Sequence, residues 1–293
     1  MSSNSQLVRD LEWVVSSPSL ISQPAALAPK SATPFDRASV DIDELERFVD
    51  ERKSHRVGRY FESLVLYWLE RIRRVEMIAD GLQIREGKQT IGELDFVFRD
   101  EVRELTHWEA AVKFYLHYPN ENPTGSHLIG PNAQDTFEKK TRKLFEKQLP
   151  LSRRDFPDIV HRQAFVKGRI FYHVDSASQT SIPSNARLAT DHLRSSWVQE
   201  SRLEWLASFN GRAFCIVRKP FWLSPLQLQK DDEQLKSTTE MIDWIQKEWD
   251  VNRHPVLVSI LELQGGDDCE WIETDRVFVV PEQWPIELTR DSV

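Results

Sequence analysis

No stretch of the chain approaches the roughly 18 consecutive apolar residues that a membrane-spanning helix requires. The N-terminus, MSSNSQLVRDLEWVV, lacks the basic start and unbroken apolar run of a signal peptide. A cytoplasmic location and no membrane partner are therefore expected. Cysteine is scarce: Cys215 and Cys269 cannot build a disulfide framework and lack the paired spacing of a zinc site, which leaves buried or free thiols. Walker-type glycine loop, dinucleotide fingerprint and serine nucleophile elbow are all missing. The eight histidines are scattered without HExxH or comparable metal spacing. Nor is there a surplus of positive charge. A net charge of −8 argues against uniform attraction to nucleic acid.

That charge is unevenly spread. Residues 230–293 carry 16 acids and 6 bases, leaving 30 and 32 before them. Two basic stretches stand out: Arg52 to Arg74 has seven Lys or Arg against two Glu, and Lys139 to Arg154 has seven against Glu146 alone. Solvated helix faces and phosphate contacts both account for such stretches. The acidic groups Asp231, Asp232 and Glu233, and later Asp267 and Asp268, fit either solvated loops or a surface that shields basic groups.

With 293 residues, 40% of them hydrophobic, and ten Trp, the chain can furnish a substantial core. Residues 1–38, with the Pro/Ala/Ser stretch SQPAALAPKSATP, suggest an arm and linker, partly docked through Leu11, Trp13 and Val14. Residues 39–293 then form one α/β domain with an acidic C-terminal region. Spacings of three and four predict helices over Asp41 to Arg56, Val57 to Arg74, Asp135 to Leu149 and Gln234 to Trp249. Val75 to Arg85, Gly92 to Arg99 and Leu105 to Tyr118 have the composition of a three-stranded meander, followed by a polar loop with Pro119, Pro123, Gly125, Gly130 and Pro131. Ala164 to Val174 predicts a further strand, with a Ser-rich loop after it, and Val256 to Leu263 with Trp271 to Val280 a hairpin around Gly265 and Gly266. Trp197, Trp205 and Trp222 suit packing better than base stacking. The sum is a mixed sheet covered on both faces.

Three carboxylates sit oddly in this pattern. Glu62 falls on the stripe of Gly58, Val65, Leu66 and Leu69, so it needs a cation, a metal or an edge position; Arg59 offers the simplest pairing. In GELDFVF, Leu94, Phe96 and Phe98 alternate onto one face and leave Glu93, Asp95 and Val97 on the other. In HWEAAVKFYL, Glu109, Ala111, Lys113 and Tyr115 alternate with Trp108, Ala110, Val112 and Phe114. Salt bridging among Lys113, Glu109 and Asp95 would explain these groups structurally. A regular strand would turn the neighbouring His107 away from Glu109, as a packed or surface histidine. Paired carboxylates could also serve glycoside hydrolysis, but Lys113 and the basic helix have no role there.

An acid on a helix, then Asp on the second strand of a meander and Glu with Lys on the third, resembles the PD-(D/E)XK nuclease superfamily. GRYFESLVLYWL, GELDFVF, HWEAAVKFYL and GPNAQDTFEKKTRKL more closely resemble an uncharacterised bacterial family of unknown function within it. The resemblance implies a restriction-endonuclease-like α/β fold. It also implies a metal-dependent nuclease in which Asp95 and Glu109 hold Mg²⁺ (or Mn²⁺) and Glu62 completes the shell, with Lys113 orienting water or stabilising charge. Lys139, Lys140, Arg142 and Lys143 would then contact a nucleic-acid backbone.

One departure stands out. The superfamily's acid and lysine are two residues apart, whereas Ala111 occupies that place here and Glu109 is four residues from Lys113, about 13 Å along a strand instead of about 6.6 Å. Long side chains or a bulge would close the gap; Glu93 would be another second carboxylate. The alternative is a catalytically inactive module that binds nucleic acid or protein.

Overall fold

The computed structural model describes residues 3–29, 35–118, 127–175, 187–265 and 270–285. Pro119, Pro123 and Gly125 of the expected polar loop, the Ser-rich loop over 176–186, Gly266, Asp267, Asp268 and Cys269 lie outside them.

The expected meander forms as β1 (Glu76–Glu86), β2 (Gln89–Arg99) and β3 (Leu105–His117), paired antiparallel in succession. Gly87, at φ +58°, supplies the left-handed position in the β1–β2 turn. β4 (Leu128–Ile129) pairs with the end of β3, and β5 (His161–His173) runs parallel to β3 over its whole length. β6 (Leu193–Gln199), β7 (Ala213–Ile216), β8 (Gln227–Gln229) and the hairpin of β9 (Val256–Gln264) with β10 (Glu270–Val280) complete a ten-stranded mixed sheet. Its main path runs β1-β2-β3-β5-β6-β10-β9-β7.

Helices cover both faces. One face carries α1 (Ser3–Ser16), α2 (Ile42–Glu51) and α3 (Val57–Tyr67, continued by a π turn over Trp68–Ile72). Leu11, Phe48, Phe61 and Trp68 there pack against Trp108, Val112 and Phe165 of the sheet. The opposite face carries α4 (Phe137–Lys143), which runs through a π turn into α5 (Leu149–Leu151), and farther along α6 (Thr238–Val251). Phe137, Leu144 and Leu149 pack on Tyr115 and Val166; Met241, Ile245 and Trp249 pack on Val258, Ile260 and Val277.

The N-terminal segment is more structured than its linker-like composition suggests. Leu7, Leu11 and Val14 recur at helical spacing and are buried with Val8 and Trp13, so α1 is a core helix. Farther on, Leu20 and Ile21 are buried against β5 and the residues around Leu188. Leu94 also departs from expectation: it packs with Ile84, Val97 and Ile159 instead of joining Phe96 and Phe98. Phe96 is the last residue of β2 paired with β3, and beyond it the β1–β2 hairpin follows its own course. Trp197 and Trp222 are buried as expected, and Trp205 stands against Phe209.

Candidate functional site

The site is built where two strands part. The β2–β3 pairing ends at Phe96 and Trp108, and Asp95 Oδ2 takes the next backbone donor, accepting from Ala110 N at 2.9 Å. From there to Leu116, where β4 joins, that edge of β3 has no strand partner among the described residues. A cleft of about 240 Å³ fills the gap, lined by Gly58 and Glu62 of α3, Asp95, Glu109 and Lys113 of the strands, and Lys140, Thr141, Lys143 and Gln148 of the helix below. A larger cleft of about 570 Å³ adjoins it, with Arg52, Lys53, Arg59, Asp80 and Glu93 in its wall. Glu62 and Asp95 line both.

Glu109 is almost wholly buried, at 1% exposure. Its Oε2 accepts from Gln148 Nε2 at 2.6 Å, and its Oε1 shares a 2.9 Å hydrogen bond with His107 Nε2. The expectation that His107 points away from Glu109 is thus overturned: residues two apart on a strand project to the same face. Burial pushes the pKa of His107 down to about 4, so the ring is neutral at pH 7. Asp95 and Glu109 move in the other direction. Burial chiefly raises each to about 8, and the Glu109 charge adds to the shift at Asp95.

Lys113 lies on the Glu109 face, partly buried, with its pKa lowered chiefly by burial. Its ammonium has no hydrogen-bond or ion-pair partner among the described residues, so the expected salt bridge to Glu109 and Asp95 is not formed. Its backbone is held from the other side by Gly168, its register partner on β5. A Cβ on Gly168, at φ +153°, would come within 1.9 Å of the Lys113 carbonyl oxygen. Only glycine permits that approach. The unbroken register from Thr106 to His117 also excludes a bulge as the means of drawing Glu109 towards Lys113.

Glu62 pairs with Arg59 at 2.9 Å, as its helical position suggested, and Arg59 also reaches Glu93 at 3.5 Å. Burial raises the Glu62 pKa despite that partner. Two residues earlier, Tyr60 Oη donates to Asp10 at 2.7 Å and ties α3 to α1. Of the four basic residues expected at a nucleic-acid backbone, Lys140 and Lys143 line the smaller cleft; Lys139 and Arg142 are exposed outside it. Arg52, Lys53 and Arg59 give the larger cleft its own basic rim, which charge counting marked as a stretch without placing it. Gln148 falls within the helix expected over Asp135 to Leu149, where its residue type alone does not single it out.

A second group, Asp100, Glu104 and His161, has potential ligand atoms within 4.8 Å of one another. Asp100 Oδ1 there accepts from Val102 N and Glu104 N, and Glu104 Oε2 pairs with His161 Nε2 at 2.7 Å. These bonds close the β2–β3 turn against the start of β5. The trio Glu62, Asp95 and Glu109 is not brought together as tightly.

Fold and site together define an α/β protein with a mixed sheet and a buried carboxylate pair beside an unpaired lysine. The chain belongs to the family described as a domain of unknown function (DUF1853), matched over residues 9–280. No curated protein and no solved structure matches it. Among the described residues no helix is long and apolar enough to cross a membrane.

Proposed function

We propose that the protein is a metal-dependent nuclease of the PD-(D/E)XK type, with its reaction centre at Asp95, Glu109 and Lys113. The observation that carries this reading is the juxtaposition in one cleft of two carboxylates destabilised by burial and a lysine without a partner. The donor set fits a divalent cation, because Mg²⁺ is typically held by one or two carboxylates together with substrate phosphates. A cation there would polarise a phosphodiester and lower the pKa of an attacking water. The chain's own residues do the rest. Asp95, which lines both clefts, is fixed through Oδ2 by Ala110 N, and Gln148 and His107 hold Glu109 in one orientation. Lys113 would supply positive charge beside a phosphate, and Glu62, which lines both clefts, would order water next to a cation held there. Lys140, Lys143, Arg52 and Lys53 attract the flanking phosphates.

The test is cleavage of single- and double-stranded DNA and of RNA in Mg²⁺ or Mn²⁺ by the wild type, Asp95→Asn and Lys113→Ala at matched folding. Activity in the wild type that is lost in both variants supports the proposal. Absence of cleavage across these substrates and metals counts against it.

A specific observation favours a second reading, a module that binds nucleic acid without cutting. Both Glu109 oxygens are committed to protein partners, and Ala111 stands where the superfamily carries its acid. Calorimetric titration with Mg²⁺ and Mn²⁺ separates the two, since the binding module needs no metal at Asp95.

A further inference from the structure

Tyr115 lies on the Glu109 face of β3, two residues beyond Lys113 and two before His117, and lines the same cleft. Its ring is fixed edge-on to Phe137, with centroids 5.7 Å apart and planes at 83°. The residue is 1% exposed, yet among the described residues its hydroxyl has no hydrogen-bond partner. Buried hydroxyls are seldom left in that state, because losing water without gaining a partner is unfavourable. Phenylalanine would fill the same space without that penalty. Among the described residues the Lys113 ammonium of the same cleft is also without a partner, and Lys140 and Lys143 stand at the rim.

We infer that Tyr115 Oη and Lys113 Nζ form an oxyanion subsite that takes a phosphate oxygen of the substrate. The inference rests on the nuclease reading for the identity of the substrate, but the subsite itself requires only a phosphate group. A hydroxyl donor and an ammonium on one strand face, two residues apart, present two donors to one tetrahedral anion. Of the acids whose charge acts on Lys113, Asp135 lies 3.6 Å from Lys140 and Glu62 lies 2.9 Å from Arg59, which offset their repulsion of an anion, and Asp95, raised to about 8, is mostly uncharged at pH 7. At about 240 Å³ the cleft falls below the roughly 300–1,000 Å³ of sites that enclose a drug-sized ligand. It suits a phosphate and part of its ester better than a whole nucleotide. Tyr115 is thereby a positioning residue: it holds the phosphate while the groups at Asp95 act on it.

The experiment is calorimetric titration of the metal-free full chain, in chelator, with inorganic phosphate against chloride at matched ionic strength, using wild type, Tyr115→Phe and Lys113→Met. Thermal melting without phosphate is recorded for each, and cleavage is assayed in parallel with metal. Wild type is expected to bind phosphate, and Tyr115→Phe to bind it about tenfold more weakly with an unchanged or higher Tm. Lys113→Met is expected to weaken binding further. Equal phosphate affinity in wild type and Tyr115→Phe overturns the inference, as does no phosphate-specific binding by wild type. A lower Tm in Tyr115→Phe without phosphate also overturns it, because the hydroxyl would then have a structural role. If phosphate binding depends on Tyr115 but no nucleic acid is cut, the subsite stands and the nuclease reading falls. If nucleic acid is cut equally well by Tyr115→Phe, the nuclease reading stands and the subsite falls.

Discussion

Two regions of this molecule bury charge, and they treat it in opposite ways. In the C-terminal half, Arg276 is fully enclosed, but its guanidinium donates to Glu273 and to the carbonyls of Trp222, Leu223 and Ser224. Glu273 also accepts from Leu226 N. Asp10, equally enclosed, accepts from Ser224 N, Ser224 Oγ, Gln6 and Tyr60. Every polar arm of that knot is occupied, and it ties α1, α3 and β10 together. At the parting of β2 and β3, by contrast, burial raises the pKa values of two carboxylates to about 8, and among the described residues a lysine and a tyrosine hydroxyl have no partner. Burial raises the Asp10 pKa as well, but four hydrogen bonds oppose that shift, whereas Asp95 has one backbone donor against it. Charge satisfied internally stabilises the fold; charge left unsatisfied in a cleft is poised for something from outside.

The largest effect should come from breaking the satisfied knot. Arg276→Met leaves Glu273 buried without its cation and strips three carbonyls of a donor, and should cost about 3–5 kcal/mol in urea unfolding. A cost as small as that of a surface substitution would remove the contrast between the regions. Next in size is Gly168→Ala. The added Cβ meets the Lys113 carbonyl in a backbone conformation that alanine disfavours, so stability should fall by more than about 1 kcal/mol, with Lys113 displaced. Amide chemical shifts of β3 measure the displacement.

Asp95→Asn should do the reverse of Arg276→Met. It keeps an acceptor for Ala110 N and removes a carboxyl whose ionised form burial disfavours, so the metal-free protein should gain about 0.5–2 kcal/mol while any cleavage is lost. The pH profile sharpens this prediction. Because folding raises the pKa values of Asp95 and Glu109 from the ordinary carboxylate range to about 8, the folded state holds more protons than the unfolded state. The stability this contributes is complete below about pH 4 and is lost as pH rises through about 8. His107, lowered to about 4, acts in the opposite sense only between about pH 6.5 and pH 4. The Tm of the metal-free wild type should therefore fall from pH 7 to pH 8.5, and less steeply in Asp95→Asn. Smallest is Lys143→Ala at the rim of the cleft. It should weaken nucleic-acid binding alike for all sequences and reduce the log–log salt slope by about one, measured by fluorescence anisotropy.

Much of the fold was legible because strand and helix periods are local. The alternation in HWEAAVKFYL placed Trp108, Ala110 and Val112 in the core and Glu109, Lys113 and Tyr115 on the other face, as found. The i,i+3 pairing of Arg59 with Glu62 followed from helical spacing in the same way. α1 was obscured by the proline-rich residues after it, although Leu7, Leu11 and Val14 carry its period. The site was legible only as a set of misplaced charges. The contact of His107 with Glu109 follows from the strand period, whereas Gln148, which reaches Glu109 from 39 residues away, could not be read.

The sequence by itself determined which side chains share a face and how many acids and bases those faces carry, because both follow from backbone period and composition. Tertiary structure decided which of those charges found partners. The β2–β3 pairing ends at Phe96, Gly168 lets β5 close against Lys113, and the π turn after α4 brings Gln148 to Glu109, while among the described residues no polar partner reaches the Lys113 ammonium or the Tyr115 hydroxyl. A hydrogen bond spans only about 3 Å, so whether a buried group is satisfied depends on the placement of elements distant in sequence.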